Sequence, residues 1–224
     1  MKDVTITDNP SDLSEGPEAA LVPEERKQAP RASAVGRFFG HLGTITRHKW
    51  LVGVLCFRAG LIRQGLAHDF SKYSPSEFWV GVHYYQGWRS PNAAERDEKG
   101  YSSAWLHHKG RNKHHFEYWA DIMRVPDGAG GTKPAWAPCP MPKRYVVEMF
   151  CDRIAASKVY LKDAYTDASA LEYFNREVGS EPGLMHPETR ELLLSLLTML
   201  AEEGEKAVFA HIRKNVLGRA KGGR

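Results

Sequence analysis

The segment His68-Asp69-Phe70-Ser71-Lys72 is the stretch from which the rest of the chain can be interpreted. It sets a histidine beside an aspartate, and neutral imidazole and carboxylate groups are both good ligands for zinc, iron or manganese. Adjacent residues at the end of a helix can converge on one ion, whereas core packing rarely requires such a pair. Because His-Asp pairs also occur by chance, the other histidines and carboxylates of the chain decide what this pair means.

Further histidines lie on both sides of the pair. His41 and His48 are seven residues apart, on similar faces of a predicted helix, so either is a candidate upstream ligand. Downstream, four histidines fall within nine residues, and a packed core rarely holds so many because each buried imidazole needs a hydrogen-bond partner. These four are His107, His108, His114 and His115. A histidine-rich surface is the alternative, and we expect one or two of the four to be ligands or catalytic groups.

A late carboxylate falls on the apolar stripe of a helix predicted to start at Pro142. Asp152 lies at helical spacing from Met149 and Ala156, and an ionised carboxylate on a core-facing stripe is costly unless it is paired or binds a metal. Glu148 lies one turn earlier, and two carboxylates at that spacing repel each other unless a cation lies near them. The alternative to a metal is an ion pair with Arg144, Arg153 or Lys158.

Length and composition predict one substantial core. A chain of 224 residues with 42% hydrophobic residues is long enough for one full domain and short for two. The three cysteines, Cys56, Cys139 and Cys151, are few and widely spaced, which is typical of reduced thiols in the cytoplasm. The most apolar run, Trp50 to Phe57, is too short to span a bilayer, and the N-terminus lacks a secretory pattern. We therefore expect a cytoplasmic protein without membrane contacts.

Charge and composition separate two tails from the folded part. Residues 1–33 contain four basic and seven acidic residues and few large apolar side chains, which predicts a disordered tail. Residues 34–217 are expected to form one domain, and residues 218–224 a basic flexible tail. Residues 34–224 hold 27 basic against 20 acidic residues, a net charge of +7 that suits a small anionic ligand, although an ordinary solvated surface carries similar charge. Nucleic acid is not an expected partner.

The apolar pattern after residue 33 is helical, with no alternating strand pattern and no phosphate-binding glycine loop. The predicted helices run from Ala34 to Gly60, Pro75 to Tyr84, Tyr101 to Lys109, Asn112 to Met123, Pro142 to Tyr160, Ala168 to Glu177, Glu188 to Leu200 and Glu205 to Leu217. Ser74 and Glu77 fit a capping box, which gives Glu77 a sufficient structural role. Residues 87–100 and 125–142 are predicted to be loops. The predicted fold class is all-α.

The order of these residues resembles that of the HD-domain superfamily of metal-dependent phosphohydrolases. An upstream helical histidine, a His-Asp pair and a late helical aspartate occur in that order, and the segment from His68 to Lys72 is similar to the superfamily motif His-Asp-aliphatic-Gly-Lys. Phe70 and Ser71 depart from that motif. Over residues 40–165 the chain more closely resembles an uncharacterised family, through matched segments at Arg47-His48-Lys49, His68 to Glu77 and His107 to Trp119.

The superfamily resemblance implies a single HD-like helical domain with a metal site. Carried over residue by residue, the implied ligands are His48, His68, Asp69 and Asp152. Members with two metals add two histidines in the interval that holds the His107-His108 and His114-His115 pairs, so one or two divalent ions are expected. Manganese, iron, cobalt, nickel and zinc all suit such ligands.

The function implied is metal-dependent hydrolysis of a phosphate ester, with a nucleotide as the leading substrate. Lys72 and one of the paired histidines are expected to stabilise the developing phosphoryl charge, and another histidine to protonate the leaving group; we assign these catalytic roles to Lys72, His108 and His115. Two alternatives stay open. Iron-containing members of the superfamily are oxygenases, and a non-catalytic binding module would hold a structural ion with a closed ligand shell.

Overall fold

The computed structural model describes residues 32–177 and 182–218, and this part of the chain is mostly helical with one small antiparallel sheet. The α-helices are α1 (Ala34–Ala59), α2 (Ile62–Ala67), α3 (Pro75–Tyr84), α4 (Pro91–Lys99), α5 (Ser103–Lys109), α6 (Lys143–Leu161), α7 (Ser169–Glu177) and α8 (Pro187–His211). The strands are β1 (Ala120–Pro126) and β2 (Thr132–Pro138). Short 3₁₀ turns cover Phe70–Tyr73, Phe116–Tyr118, Lys162–Ala164 and Pro182–Leu184, and a π-helical turn covers Ile212–Val216. The all-α prediction is confirmed in its coarse form, since helices dominate.

The predicted tails fall almost wholly outside the described residues. Only Ala32 and Ser33 of the expected tail 1–33, and only Gly218 of the expected tail 218–224, are described. Ser33 is the N-cap of α1, because its hydroxyl accepts a hydrogen bond from the backbone N–H of Gly36 at 3.1 Å. Within the described ranges, no helix is long and apolar enough to cross a membrane.

The core lies where α1, α6 and α8 pack together. α6 is buried on most of its surface, with Phe150 and Ile154 fully enclosed, and α1 contributes Val52 to the same cluster. α8 closes the cluster with Leu197 and Phe209. Burial of large apolar side chains contributes roughly 1.5–3 kcal/mol each, so this cluster fixes the positions of α1 and α6. These two helices carry His48 and Asp152.

The crossing of α1 and α2 sets the position of His68. A Cβ atom on Gly65 would lie 3.2 Å from the Cα of Gly53 and 2.8 Å from the Cβ of Cys56, so the two helices approach closely because residue 65 has no side chain. Lys49 of α1 donates hydrogen bonds to the backbone oxygens of Leu66 at 2.8 Å and His68 at 2.6 Å. The end of α2 is therefore tied to α1.

The hairpin corrects two predictions, a helix from Asn112 to Met123 and a loop over residues 125–142. β1 pairs antiparallel with β2, with Ile122 opposite Trp136. Both side chains are exposed, at 67% and 71%, so neither strand buries a face and the sequence has no apolar alternation to reveal it. The turn forms because the carboxylate of Asp127 accepts hydrogen bonds from the backbone N–H groups of Ala129 and Gly131.

One further element prediction was wrong in detail and another agrees with the structure. Part of the loop predicted at residues 87–100 is helix α4, which is polar on most faces, begins at Pro91 and is capped by Gly100 with φ 78°. The two helices predicted after Pro187 correspond to the two parts of α8, which are separated by a kink at Gly204, whose φ of 78° and ψ of 174° are not helical. Glycine adopts this conformation without a Cβ clash.

Candidate metal centre

The backbone turns sharply at the His-Asp pair. His68 ends α2 with extended ψ, and Asp69 has φ 54° and ψ 28°, the left-handed conformation. Few non-glycine residues adopt this conformation, although aspartate tolerates it better than most. As a consequence of the turn both side chains are buried, His68 at 2% and Asp69 at 1% exposure.

The first group of candidate ligands contains the four predicted metal residues. His48 Nε2 lies 2.9 Å and His68 Nε2 3.4 Å from Asp152 Oδ1. Asp69 Oδ2 lies 3.2 Å from His68 Nε2 and 3.6 Å from His48 Nε2. Two ligand atoms bound to one tetrahedral ion at about 2.1 Å are roughly 3.4 Å apart, so these separations suit a shared cation. The structure brings together all four residues, from α1, the end of α2 and α6.

A second group uses the other oxygen of Asp69. Asp69 Oδ1 lies 3.3 Å from His108 Nε2 and 3.4 Å from His114 Nε2, and a ring nitrogen of His115 completes the group. Ligand atoms of all four residues lie within 4.8 Å of one another. The carboxylate of Asp69 therefore stands between two sets of histidines, with one oxygen facing each.

Two histidines considered from the sequence lie outside both groups. His107 is directed to the surface side, where Nδ1 lies 2.5 Å from Glu77 Oε1 and Nε2 lies 3.1 Å from Ser76 Oγ. His41 packs against Phe78, with ring centroids 5.4 Å apart, and belongs to neither ligand group. Of the two upstream candidates, the geometry favours His48.

The ligand atoms share an unusual lack of hydrogen bonds. Among the described residues, no hydrogen-bond partner is found for the buried Nε2 atoms of His48, His68, His108, His114 and His115, or for either carboxylate oxygen of Asp69. Besides one another, their neighbours within 4 Å include Asp152 Oδ1, 2.9 Å from His48 Nε2, and Lys72 Nζ, which forms an ion pair with Asp69 Oδ2 at 2.6 Å. Each buried polar group without a partner costs about 1–3 kcal/mol. The donor set therefore fits divalent ions, which would satisfy these atoms together.

Two glutamates orient the histidines from behind. Glu148 Oε1 lies 3.1 Å from Nδ1 of His68 and 3.3 Å from Nδ1 of His114, so it contacts one histidine of each group. Glu77 Oε2 lies 2.8 Å from Nδ1 of His108. A carboxylate that accepts the Nδ1 proton leaves the Nε2 lone pair directed at the centre, which is the usual arrangement behind a metal-bound histidine.

The role of Glu77 corrects the capping-box interpretation. The Ser74 side chain makes no capping hydrogen bond to α3, and Glu77 is buried at 5% exposure against His107 and His108. Glu148 is buried in a similar way, against His68 and His114. Glu77 was missed as a partner of the histidines because helix capping offered a sufficient explanation for it.

The profile of a family of unknown function, DUF5662, matches residues 37–199. The chain belongs to DUF5662. Comparisons with curated proteins and with solved structures gave no significant match. The matched range contains every residue of both ligand groups, so the centre lies within the part of the chain that defines DUF5662.

Charges in this DUF5662 centre favour the ligand forms of Asp69 and His115 but not those of His68 and His108. Burial alone would lower the pKa of His68 and His108, but Asp69 outweighs burial and raises the pKa of both, so binding of a cation there would release protons. Burial alone would raise the pKa of Asp69, but His68 and Lys72 outweigh burial and hold the pKa well below its usual range. Burial, with His114 and His108 close by, holds the pKa of His115 well below its usual range, so His115 is neutral. An ionised carboxylate beside neutral imidazole is the state that binds cations.

A cavity of about 150 Å³ opens onto the centre. Its wall includes His48, His115 and Asp152 of the ligand groups, together with the cations Lys72 and Arg153. Lys72 Nζ lies 2.6 Å from Asp69 Oδ2, so this predicted catalytic residue contacts both the cavity and the centre. His108 lies deeper, at 2% exposure, and does not line this cavity.

Proposed function

We propose that this chain is a metal-dependent phosphohydrolase of the HD-domain type. Its residues 34–217 would form one HD-like domain that holds two divalent ions, one in each ligand group. The observation that carries the proposal is the position of Asp69, whose two oxygens face separate sets of histidine Nε2 atoms. Carboxylates shared between two ions are common in two-metal hydrolytic sites, where the ions lie about 3.5–4 Å apart.

The ligand set defines which ions suit the site. His48, His68 and Asp152 would hold one ion and His108, His114 and His115 the other, with Asp69 common to both. Imidazole and carboxylate ligands in this ratio suit manganese, iron, cobalt, nickel or zinc. When bound, such an ion lowers the pKa of water to supply hydroxide near neutral pH and polarises a phosphoryl oxygen.

The side chains on the cavity wall provide the remaining chemistry. Lys72 keeps its positive charge, because Asp69 raises the pKa of its ammonium group more than burial lowers it. It is therefore placed to stabilise negative charge that develops on a phosphoryl group in the cavity. His115 also lines the cavity, but the proposal makes it a ligand of the second ion, so its ring nitrogen is not also the proton donor expected from the sequence.

The geometry gives His108 a different role from the one expected. Its Nε2 faces Asp69 and its Nδ1 is held by Glu77, so it fits a metal ligand better than a proton donor. Asn112 and Ser71 hold the same ring from the side, with Asn112 donating to Ser71 Oγ at 2.8 Å. A ligand needs this fixed orientation, whereas a group that donates protons to substrate must reach the cavity.

The test is metal content followed by phosphate release. Protein purified without chelator should contain about two transition-metal ions per chain, measured by elemental analysis. It should release phosphate from p-nitrophenyl phosphate, lose that activity on treatment with a chelator, and regain it with manganese, iron, cobalt, nickel or zinc. Protein that binds no metal at neutral pH, or that binds two ions and hydrolyses no phosphate ester, would contradict the proposal.

An iron-dependent oxygenase is the second candidate, and the histidine-rich ligand set favours it. Five histidine Nε2 atoms around one shared carboxylate suit ferrous iron as well as they suit hydrolytic metals. Oxygen consumption by the iron-loaded protein, without phosphate release, would select this candidate. A purely structural ion is less consistent with the structure, because three residues of the centre line a cavity.

A further inference from the structure

The cavity beside the centre is small, and its size limits the substrate. Its volume is about 150 Å³. An engineered cavity of about 150 Å³ binds benzene, a molecule with six non-hydrogen atoms, whereas pockets for drug-sized ligands measure roughly 300–1,000 Å³. A neighbouring cavity of about 70 Å³ shares the wall residues Thr44, Lys72 and Tyr160. Even together, the two cavities fall short of the range for drug-sized ligands.

The wall of the cavity is polar where a substrate would lie. Lys72 and Arg153 bring positive charge, with Arg153 buried at 6% exposure, and Glu117 and Asp152 bring carboxylates to the same wall. Thr44 and Ser90 add hydroxyl groups and Asn92 adds an amide. Cations suit a phosphate, and neutral donors and acceptors suit the hydroxyl groups of a small alcohol.

The aromatic side chains on the wall are engaged by the protein itself. Trp105 packs against His115, with ring centroids 4.6 Å apart, and the guanidinium of Arg96 lies 5.6 Å from the Trp105 ring. The guanidinium of Arg153 lies 5.0 Å from the centre of the Tyr173 ring. These contacts reduce the aromatic surface left for stacking a nucleotide base.

Two aromatic residues of α3 lie away from the cavity. Trp79 is 58% exposed and packs against Phe38, and Tyr84 donates its hydroxyl to Glu98 at 3.0 Å. Neither lines the cavity beside the centre. Trp79 and Tyr84 therefore provide no stacking surface in this cavity, whose aromatic wall residues are Trp105, Phe116, Tyr160 and Tyr173.

We infer that the substrate is a phosphate monoester of a short, hydroxylated alcohol, similar in size to glycerol phosphate, and not a nucleotide. This inference rests on the proposed hydrolase function. The phosphate would lie against the centre and Lys72, and the alcohol would contact Thr44, Ser90 and Asn92. Hydrolysis transfers the phosphoryl group to water: the bond between phosphorus and the alcohol oxygen breaks, a bond to the water oxygen forms, and the alcohol leaves with one proton.

The experiment compares sn-glycerol 3-phosphate with adenosine 5′-monophosphate on the metal-loaded full chain. We expect kcat/KM to be at least roughly tenfold higher for the small ester, a modest difference for substrates distinguished by fit. Isothermal titration calorimetry of each ester, with the activity suppressed at low temperature, should show the same preference. An equal or higher kcat/KM for the nucleotide would overturn the inference while leaving the hydrolase function intact.

A substitution in the cavity wall provides a second test of the preference for the small ester. Tyr160 lies on the walls of both cavities, so Tyr160→Ala should join them and raise kcat/KM for the nucleotide relative to the small ester. Tyr160→Phe retains the ring and should retain the preference of the native chain. If neither ester is hydrolysed, calorimetry distinguishes the two remaining outcomes. Selective binding of glycerol phosphate would support the ligand class and refute the hydrolase. Failure to bind glycerol phosphate would overturn the inference.

Discussion

At the level of single residues, Asp69 differs from the other candidate ligands because each of its two oxygens faces a separate ligand group. Asp69→Asn replaces one oxygen with an amide and weakens both groups, so metal content should fall by about two ions per chain. Asp152→Asn affects only the group with His48 and His68, so it should remove about one ion. Elemental analysis after dialysis measures both, with circular dichroism to verify the helices. Equal losses in the two variants would contradict a shared Asp69.

The glutamates behind the histidines give a matched pair of variants. Glu148 contacts histidines of both groups, whereas Glu77 contacts His108 alone among the ligands. Loss of such an outer carboxylate typically lowers metal affinity about 10–100-fold. Glu148→Gln should therefore weaken both binding steps and Glu77→Gln only one, in competition titrations with a metal-binding dye. Two unaltered affinities would show that neither carboxylate orients its histidine.

How far the sequence predicted the centre depends on how each residue reaches it. His48 and Asp152 lie on long helices, where the spacing of apolar residues predicts which side chains face the core. His68 and Asp69 were predicted from their similarity to the superfamily motif. His114 and His115 lie in an irregular segment between α5 and a 3₁₀ turn, where no period defines which side chain points inward. Glu77 could not be assigned because a helix cap explained it equally well.

At the level of helices, Glu95 connects α4 to the start of α5. Glu95 is fully buried, and its carboxylate accepts hydrogen bonds from the hydroxyls of Ser102 at 2.7 Å and Ser103 at 2.6 Å, and from the backbone of Ala104. Ser102 in turn caps α5 by accepting from the backbone N–H of Trp105. The carboxylate therefore fixes the helix that delivers His108.

Glu95→Gln should lower the free energy of unfolding by about 1–3 kcal/mol at pH 7. Burial alone would raise the pKa of Glu95, but hydrogen bonds from Ser103 and Ser102 outweigh burial and lower the pKa to about 2. A depressed carboxyl pKa stabilises the fold above the unfolded value of 4.5, and that contribution is lost as pH falls towards 2.

Urea unfolding at pH 7 and pH 3 measures the Glu95 effect. The difference between the native chain and Glu95→Gln should be smaller at pH 3. Glu98→Gln is the control, because Glu98 lies on the same helix but is exposed and accepts a hydrogen bond from the Tyr84 hydroxyl. A difference that does not depend on pH would show that shape, and not charge, accounts for the role of Glu95.

The secondary structure could be predicted where one face of an element is buried. α1 shows apolar periodicity because one of its faces packs on the core, whereas α6 was predictable as a long apolar segment that is buried on most of its surface. The buried residues of α4 are the small Ala93 and Ala94 and the charged Glu95, and the hairpin buries little, so neither has the large apolar residues on which prediction depends. Their positions are set by local chemistry instead, through the turn at Asp127 and the cap at Gly100.

For the molecule as a whole, the ligand atoms without hydrogen-bond partners lower the free energy of unfolding of the metal-free chain. Binding of ions to the folded chain alone should raise the free energy of unfolding by about 2.7 kcal/mol when free metal is 100 times the dissociation constant. The melting temperature should therefore rise with added metal and fall with chelator, measured by differential scanning calorimetry. A melting temperature independent of metal would mean that the centre is stable without ions.

Such a dependence would link the amount of protein in a cell to metal supply. A chain without its ions would unfold more often, and since proteases remove unfolded chains, a deficit of about 1–2 kcal/mol would alter abundance several-fold. Starvation for the native metal would then lower the concentration of the protein as well as the activity of each molecule. The buried, unsatisfied nitrogens around Asp69 would thereby make protein turnover a sensor of metal availability.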